Sequence, residues 1–251
     1  MDNLQLAITA AKAAGEIISQ GYSSEHTIEV KTNQSIVTEV DKASEETIIK
    51  IIEENSEFPI LSEETRSSIS DEETYWAIDP LDGTTNFARK IPFFAISIAL
   101  ISHKKPIVGV IFNPALQELY SSEEGKGTFF NGKKVKAGTE KSLVFVNTGY
   151  NKEHKETYAK INAAVSPNFT IRKMGSTACE LAIMARGSAD GFICWGDELW
   201  DHAAGILLVR EAGGMVTDWK GDNWTTDTNY VLAGNKTIHP HLLKAISSFS
   251  N

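Results

Sequence analysis

From Leu4 to Ile18, apolar side chains recur at helical spacing (Leu4, Ala7, Ala11, Ala14, Ile18), and Gly21 is the expected stop. Ile48, Ile51 and Ile52 form the stripe of a second helix over about residues 41–55, with Thr38 as candidate cap. The middle of the chain then changes period. Residues 75–78, 93–101, 107–112 and 118–121 read as strands punctuated by Gly, Pro and Asn, and Asn131-Gly132 is a hairpin signal. The last hundred residues alternate again. Strands are predicted at 143–147, 191–194, 215–217 and 230–232, and helices at 152–164, 177–185 and 200–212, the last closed by Gly213-Gly214. A further helix is predicted in the tail. This order, helices then a mostly antiparallel sheet then a second αβ half, predicts layered sheets and helices, with residues 1–140 and 141–251 as two halves of one compact unit.

Composition narrows the function classes. Of the 251 residues 41% are hydrophobic and 23% charged, enough for a sizeable core and a polar surface. The longest apolar run, residues 92–101, is far short of the ~20 that span a bilayer. The start, Met1-Asp2-Asn3, does not read as a secretory signal. Two cysteines, Cys179 and Cys194, cannot frame a disulfide scaffold or a four-thiolate zinc site, so a cytoplasmic protein is expected. The net charge of −9 disfavours nucleic acid and anionic membrane as partners. An acidic protein that binds phosphate compounds must find positive charge locally, from side chains or from metal ions.

The densest chemical signal is Asp79-Pro80-Leu81-Asp82-Gly83-Thr84-Thr85-Asn86, following the apolar strand 75–78. Two carboxylates three residues apart at a strand end can converge on one hard cation such as Mg²⁺, which takes oxygen ligands. Pro80 stiffens the turn between them and Gly83 lets backbone approach a ligand. A helix starting near Thr84 would aim free N–H groups at the same point. Alone, the segment is equally a turn and a helix cap. Glu63-Glu64, after the strand-like run 58–61, is alone an acidic loop, and Asp201, opening the apolar helix beside Trp200, is alone a cap.

Taken together, residues 78–87, 200–205 and Glu63-Glu64 resemble the inositol monophosphatase family of metal-dependent, often lithium-sensitive phosphatases. Residues 38–41, 125–132, 175–178 and 211–214 match in order and approximate spacing, so the resemblance covers nearly the whole chain. It implies a layered αβαβα sandwich of α/β (α+β) class, a homodimer, and Mg²⁺-dependent hydrolysis of a small phosphorylated metabolite. By the same resemblance Glu63, Asp79 and the Leu81 carbonyl would hold one Mg²⁺, and Asp79, Asp82 and Asp201 a second, with a weaker third near Glu63. Thr84, paired with Asp41, would orient and deprotonate the attacking water together with Glu63. Gly83, Thr84 and Thr85 would cradle the phosphate, and Asp82, Asp201, Ser176 and Thr177 would face the substrate.

One departure bears on substrate. Cys194 stands where inositol-specific members carry a glutamate, and a thiol cannot accept hydroxyl hydrogen bonds as a carboxylate does. Asp197 or Glu198 could replace it from the adjacent loop. Activity on 3′(2′),5′-bisphosphate nucleotides, fructose 1,6-bisphosphate or histidinol phosphate therefore stays open beside inositol phosphate. Cys194 itself reads as an inert, half-buried thiol. The haloacid dehalogenase motif Asp-x-Asp-Gly-Thr fails here, since Pro80 stands at the nucleophile position. A non-catalytic phosphate-ligand binder is the remaining alternative, against which every expected ligand position holds an acid. His202 reads as structural, Lys133, Lys134 and Lys136 as a solvated edge, and Trp195, Trp200, Trp219 and Trp224 as core and site walls.

Overall fold

In the computed structural model, which describes residues 1–24, 28–30, 36–65, 69, 73–138, 142–149 and 152–249, Asp2 caps the first helix by accepting from Gln5 N at 2.7 Å. That helix, α1 (Asn3–Tyr22), runs through Gly21 rather than stopping there. The expected stop is overridden because Tyr22 packs its ring on Phe87 and Phe94, at 5.7 and 5.0 Å between centroids. A short ribbon, β1 (Ile28–Val30) and β2 (Ile36–Thr38), leads into α2 (Glu39–Glu53). Then follow β3 (Ile60–Ser62), β4 (Tyr75–Asp82), a single turn α3 (Thr84–Ala88), β5 (Ala95–Ser102), β6 (Lys105–Asn113), β7 (Glu118–Glu123), β8 (Gly127–Phe130) and β9 (Lys133–Val135). The second half is β10 (Leu143–Thr148), α4 (Lys152–Val165), β11 (Thr170–Arg172), α5 (Thr177–Ala185), β12 (Gly191–Trp195), α6 (Leu199–Glu211), β13 (Met215–Thr217), β14 (Val231–Gly234) and α7 (His239–Ile246). The boundary expected between residues 140 and 141 lies outside the described residues.

Strands β3 to β9 form a seven-stranded sheet in chain order, antiparallel except for the parallel pair β3–β4. The order β11-β10-β12-β14-β13 makes a five-stranded mixed sheet in which β10 runs parallel to both its neighbours. The central strands are continuously apolar because both faces are covered. From β5, Ile96, Ile98 and Leu100 join the core beneath α1 and α2, whereas Ala95, Ala99 and Ile101 join the core shared with α5 and α6. Helices α4 and α7 cover the outer face of the second sheet, where Val144, Ile161, Ile193 and Leu242 are buried together. The layers are αβαβα, as the resemblance implied.

Helix α6 lies between the two sheets and is buried nearly all round, so it shows no amphipathic stripe. Small residues let it come close. A Cβ on Gly109 of β6 would stand 2.8 Å from the Ala204 carbonyl oxygen, and one on Gly205 would stand 2.5 Å from Leu181. His202 on this helix is core. It sits edge-on to Trp224 at 5.3 Å, and burial pushes its imidazole down to about 3. Between β8 and β9, Asn131 and Gly132 both take positive φ (46° and 76°), the geometry of the expected hairpin. Lys133 and Lys134 lie on the exposed edge strand beyond it. Among the described residues, no helix is long and apolar enough to cross a membrane.

Candidate active site

Strand β4 continues through Asp79 to Asp82, so the two acids flank a bulge in a strand rather than a turn after one. Asp79 pairs with Ser97 and Asp82 with Ala95, and between them Pro80 and Leu81 stand against the single residue Ile96. Proline is at home there because the bulge asks no ladder N–H of it. The Pro80 carbonyl accepts from Ser44 Oγ at 2.8 Å, and Asp79 Oδ1 accepts from Leu81 N at 2.9 Å. Strand β3, parallel to β4, ends beside Ile78, whose carbonyl accepts from Glu63 N at 3.2 Å. Glu63 is thereby delivered next to Asp79.

The third acid arrives from the far half of the chain. Helix α6 begins at Leu199 with Glu198 as N-cap, and Asp201 is its third residue, accepting from Glu198 N at 2.7 Å. Ser97 Oγ of β5 ties the helix start to the first sheet through the Trp200 carbonyl at 2.9 Å. Glu63, Asp79 and Asp201 each present a carboxylate oxygen within 4.8 Å of the others. Asp82 lines the same cleft, and its Oδ2 accepts from Ser176 Oγ at 2.5 Å and Ala178 N at 2.7 Å.

The electrostatics fit a cation. Burial, then the charges of Glu63, Asp82 and Asp201, drives Asp79 well above the usual carboxylate range. Burial pushes Asp82 up to about 7 against the donors Ser176 and Ala178. Asp201 is driven well above its ordinary value by burial and then by Asp197, Glu63 and Asp82. All donors are oxygen, the set a hard divalent ion prefers, and such an ion would relieve the repulsion. The residues present therefore fit Mg²⁺.

Beside the acids, Gly83 (φ 85°) turns the chain into α3, and Gly83, Thr84 and Thr85 line the cleft. Thr84 Oγ1 stands 2.9 Å from Asp41 Oδ1 and 3.0 Å from the Leu81 carbonyl. Asp41 lies behind Thr84, 2% exposed. Its Oδ2 accepts from Thr38 N at 2.9 Å and Thr38 Oγ1 at 2.6 Å, while Thr38 also caps α2. Burial raises Asp41 to about 6, opposed by the bonds from Thr38 and Thr84, so it is mostly ionised at neutral pH.

Ser176 and Thr177, expected to face the substrate, each hold a carboxylate, and Thr177 lines the cleft. The Ser176 hydroxyl is buried on Asp82 and caps α5, and the Thr177 hydroxyl bonds Asp197 Oδ2 at 2.5 Å while Asn147 Nδ2 donates to it at 2.6 Å. Cys194 is fully buried, not half-buried, because β12 is an inner strand. Its thiol donates to Asp197 Oδ2 at 3.0 Å, and burial raises its pKa.

Thr148, His154 and Lys173 also line the cleft and were not singled out from sequence. Thr148 ends β10, Lys173 follows β11 and His154 lies in the first turn of α4, so this wall is built at the ends of parallel strands, where ligands of open α/β sheets gather. Nor were Asn86 and Glu180. Asn86 Nδ2 reaches the carbonyls of Phe93 and Met174, both at 2.8 Å. Glu180 Oε1 accepts from Met174 N at 2.6 Å and Gly175 N at 3.3 Å.

A bulged strand and a helix start that bring acids to one cleft between two sheets define a layered αβαβα protein with a candidate metal centre. The chain belongs to the Inositol monophosphatase family, whose sequence profile it matches over residues 2–250. It is 37% identical over 254 residues to the Nus factor SuhB of Escherichia coli (strain K12), covering 97% of this chain and 93% of that protein. It is also 37% identical over 261 residues to Inositol monophosphatase 3 of Solanum lycopersicum, with 97% and 96% covered. The solved structure of an IMPase from Thermotoga maritima superposes with a TM-score of 0.89 at 32% identity, covering 99% of this chain and 98% of that one.

Proposed function

We propose that the protein is a Mg²⁺-dependent phosphatase that hydrolyses a phosphate monoester of a small molecule by direct attack of water. The observation that carries this reading is the convergence of Glu63, Asp79 and Asp201 within 4.8 Å, with Asp82 on the same cleft. Glu63, Asp79 and the Leu81 carbonyl would hold one Mg²⁺, and Asp79, Asp82 and Asp201 a second, with a weaker third near Glu63. Bound Mg²⁺ supplies the positive charge that attracts phosphate, makes water acidic and steadies the leaving oxygen.

The chain's own residues then orient the water and the ester. Ionised Asp41 takes the Thr84 hydroxyl proton as a hydrogen bond, which turns a lone pair of Thr84 Oγ1 toward the cleft as an acceptor. Thr84 would thus hold one water hydrogen while Glu63 takes the other as general base. The first-turn N–H groups of α3 lack intrahelical acceptors and would receive phosphate oxygens beside Gly83, Thr84 and Thr85. No side chain is asked to become a phosphoenzyme. The cleft, about 540 Å³, suits a ligand of sugar size.

Relatives of equal identity carry the names Nus factor and inositol monophosphatase. The complete carboxylate set favours hydrolysis over a purely binding role, because repelling buried acids are costly to keep without a cation. The candidate esters are inositol monophosphate, a 3′(2′),5′-bisphosphate nucleotide, fructose 1,6-bisphosphate and histidinol phosphate. The test is phosphate release from this panel and from p-nitrophenyl phosphate, with Mg²⁺, with Li⁺ added, and after chelation. Turnover that needs Mg²⁺ is expected. Turnover that persists after exhaustive chelation, or none at all, would reject the reading.

A further inference from the structure

The side of the cleft built from the second half of the chain carries a carboxylate, Asp197, that the chemistry above does not use. Asp197 follows the left-handed Gly196 at the end of β12 (φ 82°). Its Oδ2 is saturated by the Thr177 hydroxyl at 2.5 Å and the Cys194 thiol at 3.0 Å. Asn147 Nδ2 holds Thr177 Oγ1 at 2.6 Å, and Asn147 Oδ1 accepts from Thr148 N at 2.9 Å. The chain Asn147–Thr177–Asp197–Cys194 therefore fixes one carboxylate oxygen from β10, α5 and β12 together. Asp197 Oδ1 accepts from no protein donor among the described residues.

Resting on the phosphatase reading, we infer that Asp197 is a specificity-determining residue that receives a hydrogen-bond donor of the leaving group on Oδ1. In-line displacement places the leaving oxygen across the phosphorus from the attacking water. The water would be held by Glu63, which follows β3, and Thr84, which opens α3, so the leaving group would extend toward the second sheet, where Asp197 follows β12. A carboxylate can only accept, so its partner is a hydroxyl or an ammonium.

Charge narrows the class further. This wall adds Asp197 and Glu198, against one lysine, Lys173. The Lys173 ammonium bonds the Thr148 carbonyl at 3.3 Å and lies 5.0 Å from the Tyr158 ring centre, and its charge, like that of His154, favours the ionised form of Asp197. Beyond the carboxylates assigned to metal, two acids and one lysine leave the wall net negative. A second phosphate on the leaving group is thus repelled, and a polyol or amino-alcohol leaving group is favoured over a bisphosphate.

The experiment compares kcat/KM of the full chain and of Asp197→Ala on inositol 1-phosphate, histidinol phosphate, fructose 1,6-bisphosphate and p-nitrophenyl phosphate. The readout is each value divided by that for p-nitrophenyl phosphate, whose leaving group has no donor. A hydrogen bond to a charged group corresponds to about a 10- to 100-fold loss in that ratio. The loss is expected for whichever donor-bearing ester the unaltered protein prefers, inositol phosphate marking a hydroxyl and histidinol phosphate an ammonium. The ratio for fructose 1,6-bisphosphate should rise. Cys194→Ala, which frees one side of Asp197, should show a smaller drop of the same kind and serves if Asp197→Ala misfolds. Ratios unchanged within twofold in both variants, or a wild-type preference for the bisphosphate, would overturn the inference while leaving the phosphatase reading standing. Failure of the unaltered protein on every ester would remove that reading and this inference with it.

Discussion

The two walls of the cleft are built by opposite means. On the first sheet, Asp79 and Asp82 are three residues apart on one bulged strand, and Glu63 is tied to that strand through the Ile78 carbonyl. Backbone geometry aims these acids. On the second sheet, Asp197 is aimed by side chains from three separate elements, Asn147, Thr177 and Cys194. The proposed reacting end is thus fixed by backbone geometry, and the proposed discriminating end by a network whose members can be exchanged singly. On the proposed reading, chemistry that must stay constant would sit where the backbone enforces it, and recognition where one substitution can redirect it.

The comparison can be broken or sharpened by mutation. Asp79→Asn should be the largest blow, because it removes charge from both proposed ion positions. A kcat/KM loss of about a thousandfold, ~4 kcal/mol of transition-state stabilisation, is expected with the fold retained by circular dichroism. Turnover close to wild type would dissolve the distinction between the walls.

Next comes Glu180, which holds the loop between β11 and α5. Its carboxyl is buried and raised to about 8 by burial, with smaller contributions from Asp82 and Asp197. Native Glu180 therefore keeps its proton at neutral pH while the unfolded chain gives it up. The stability it lends is complete below about pH 4.5 and is lost as pH rises through about 8. Glu180→Gln cannot ionise, so the variant should gain on the parent by on the order of 3 kcal/mol between pH 5 and pH 8. Urea unfolding at several pH values measures this, and parallel curves would count against a buried protonated carboxyl.

Thr84→Ala should lower kcat about a hundredfold with little change in KM, as expected for loss of one water-orienting group. A pure KM effect would assign Thr84 to binding instead. Asn86→Ala should be mildest. Deleting the amide that bridges Phe93 and Met174 should cost about 1–2 kcal/mol of stability and raise KM before kcat. Steady-state kinetics beside thermal unfolding separates the two effects.

How much of this was legible beforehand follows the same division. The helices over residues 41–55 and 177–185 and the strands of the first sheet announce themselves by period and by caps such as Thr38, because local pattern and burial agree there. The Asp79–Asn86 string was legible as chemistry, since its spacing is its geometry. The stop at Gly21 was misread because Tyr22 gains aromatic contacts that no local rule contains. Cys194 was read as half-buried because the place of β12 inside its sheet is a tertiary fact. Lys173, His154 and Glu180 gave no signal at all, because a strand end and two separate helices, α4 and α5, meet only once the second half has folded.

The position of α6 bears on how the chain must be made. The inner face of the first sheet, with Ala77, Ala95, Ala99 and Ile111, is complete in sequence by residue 135, yet its cover includes a helix that begins at residue 199. During synthesis that face would wait for α6 while more than sixty further residues (199 − 135 = 64) are added, with α5 following only at residues 177–185, and an uncovered sheet face invites wrong partners. The helix that brings Asp201 to the cleft is also the one that ends this exposure, so the nascent chain would leave its most aggregation-prone stage and complete its acid cluster in the same event.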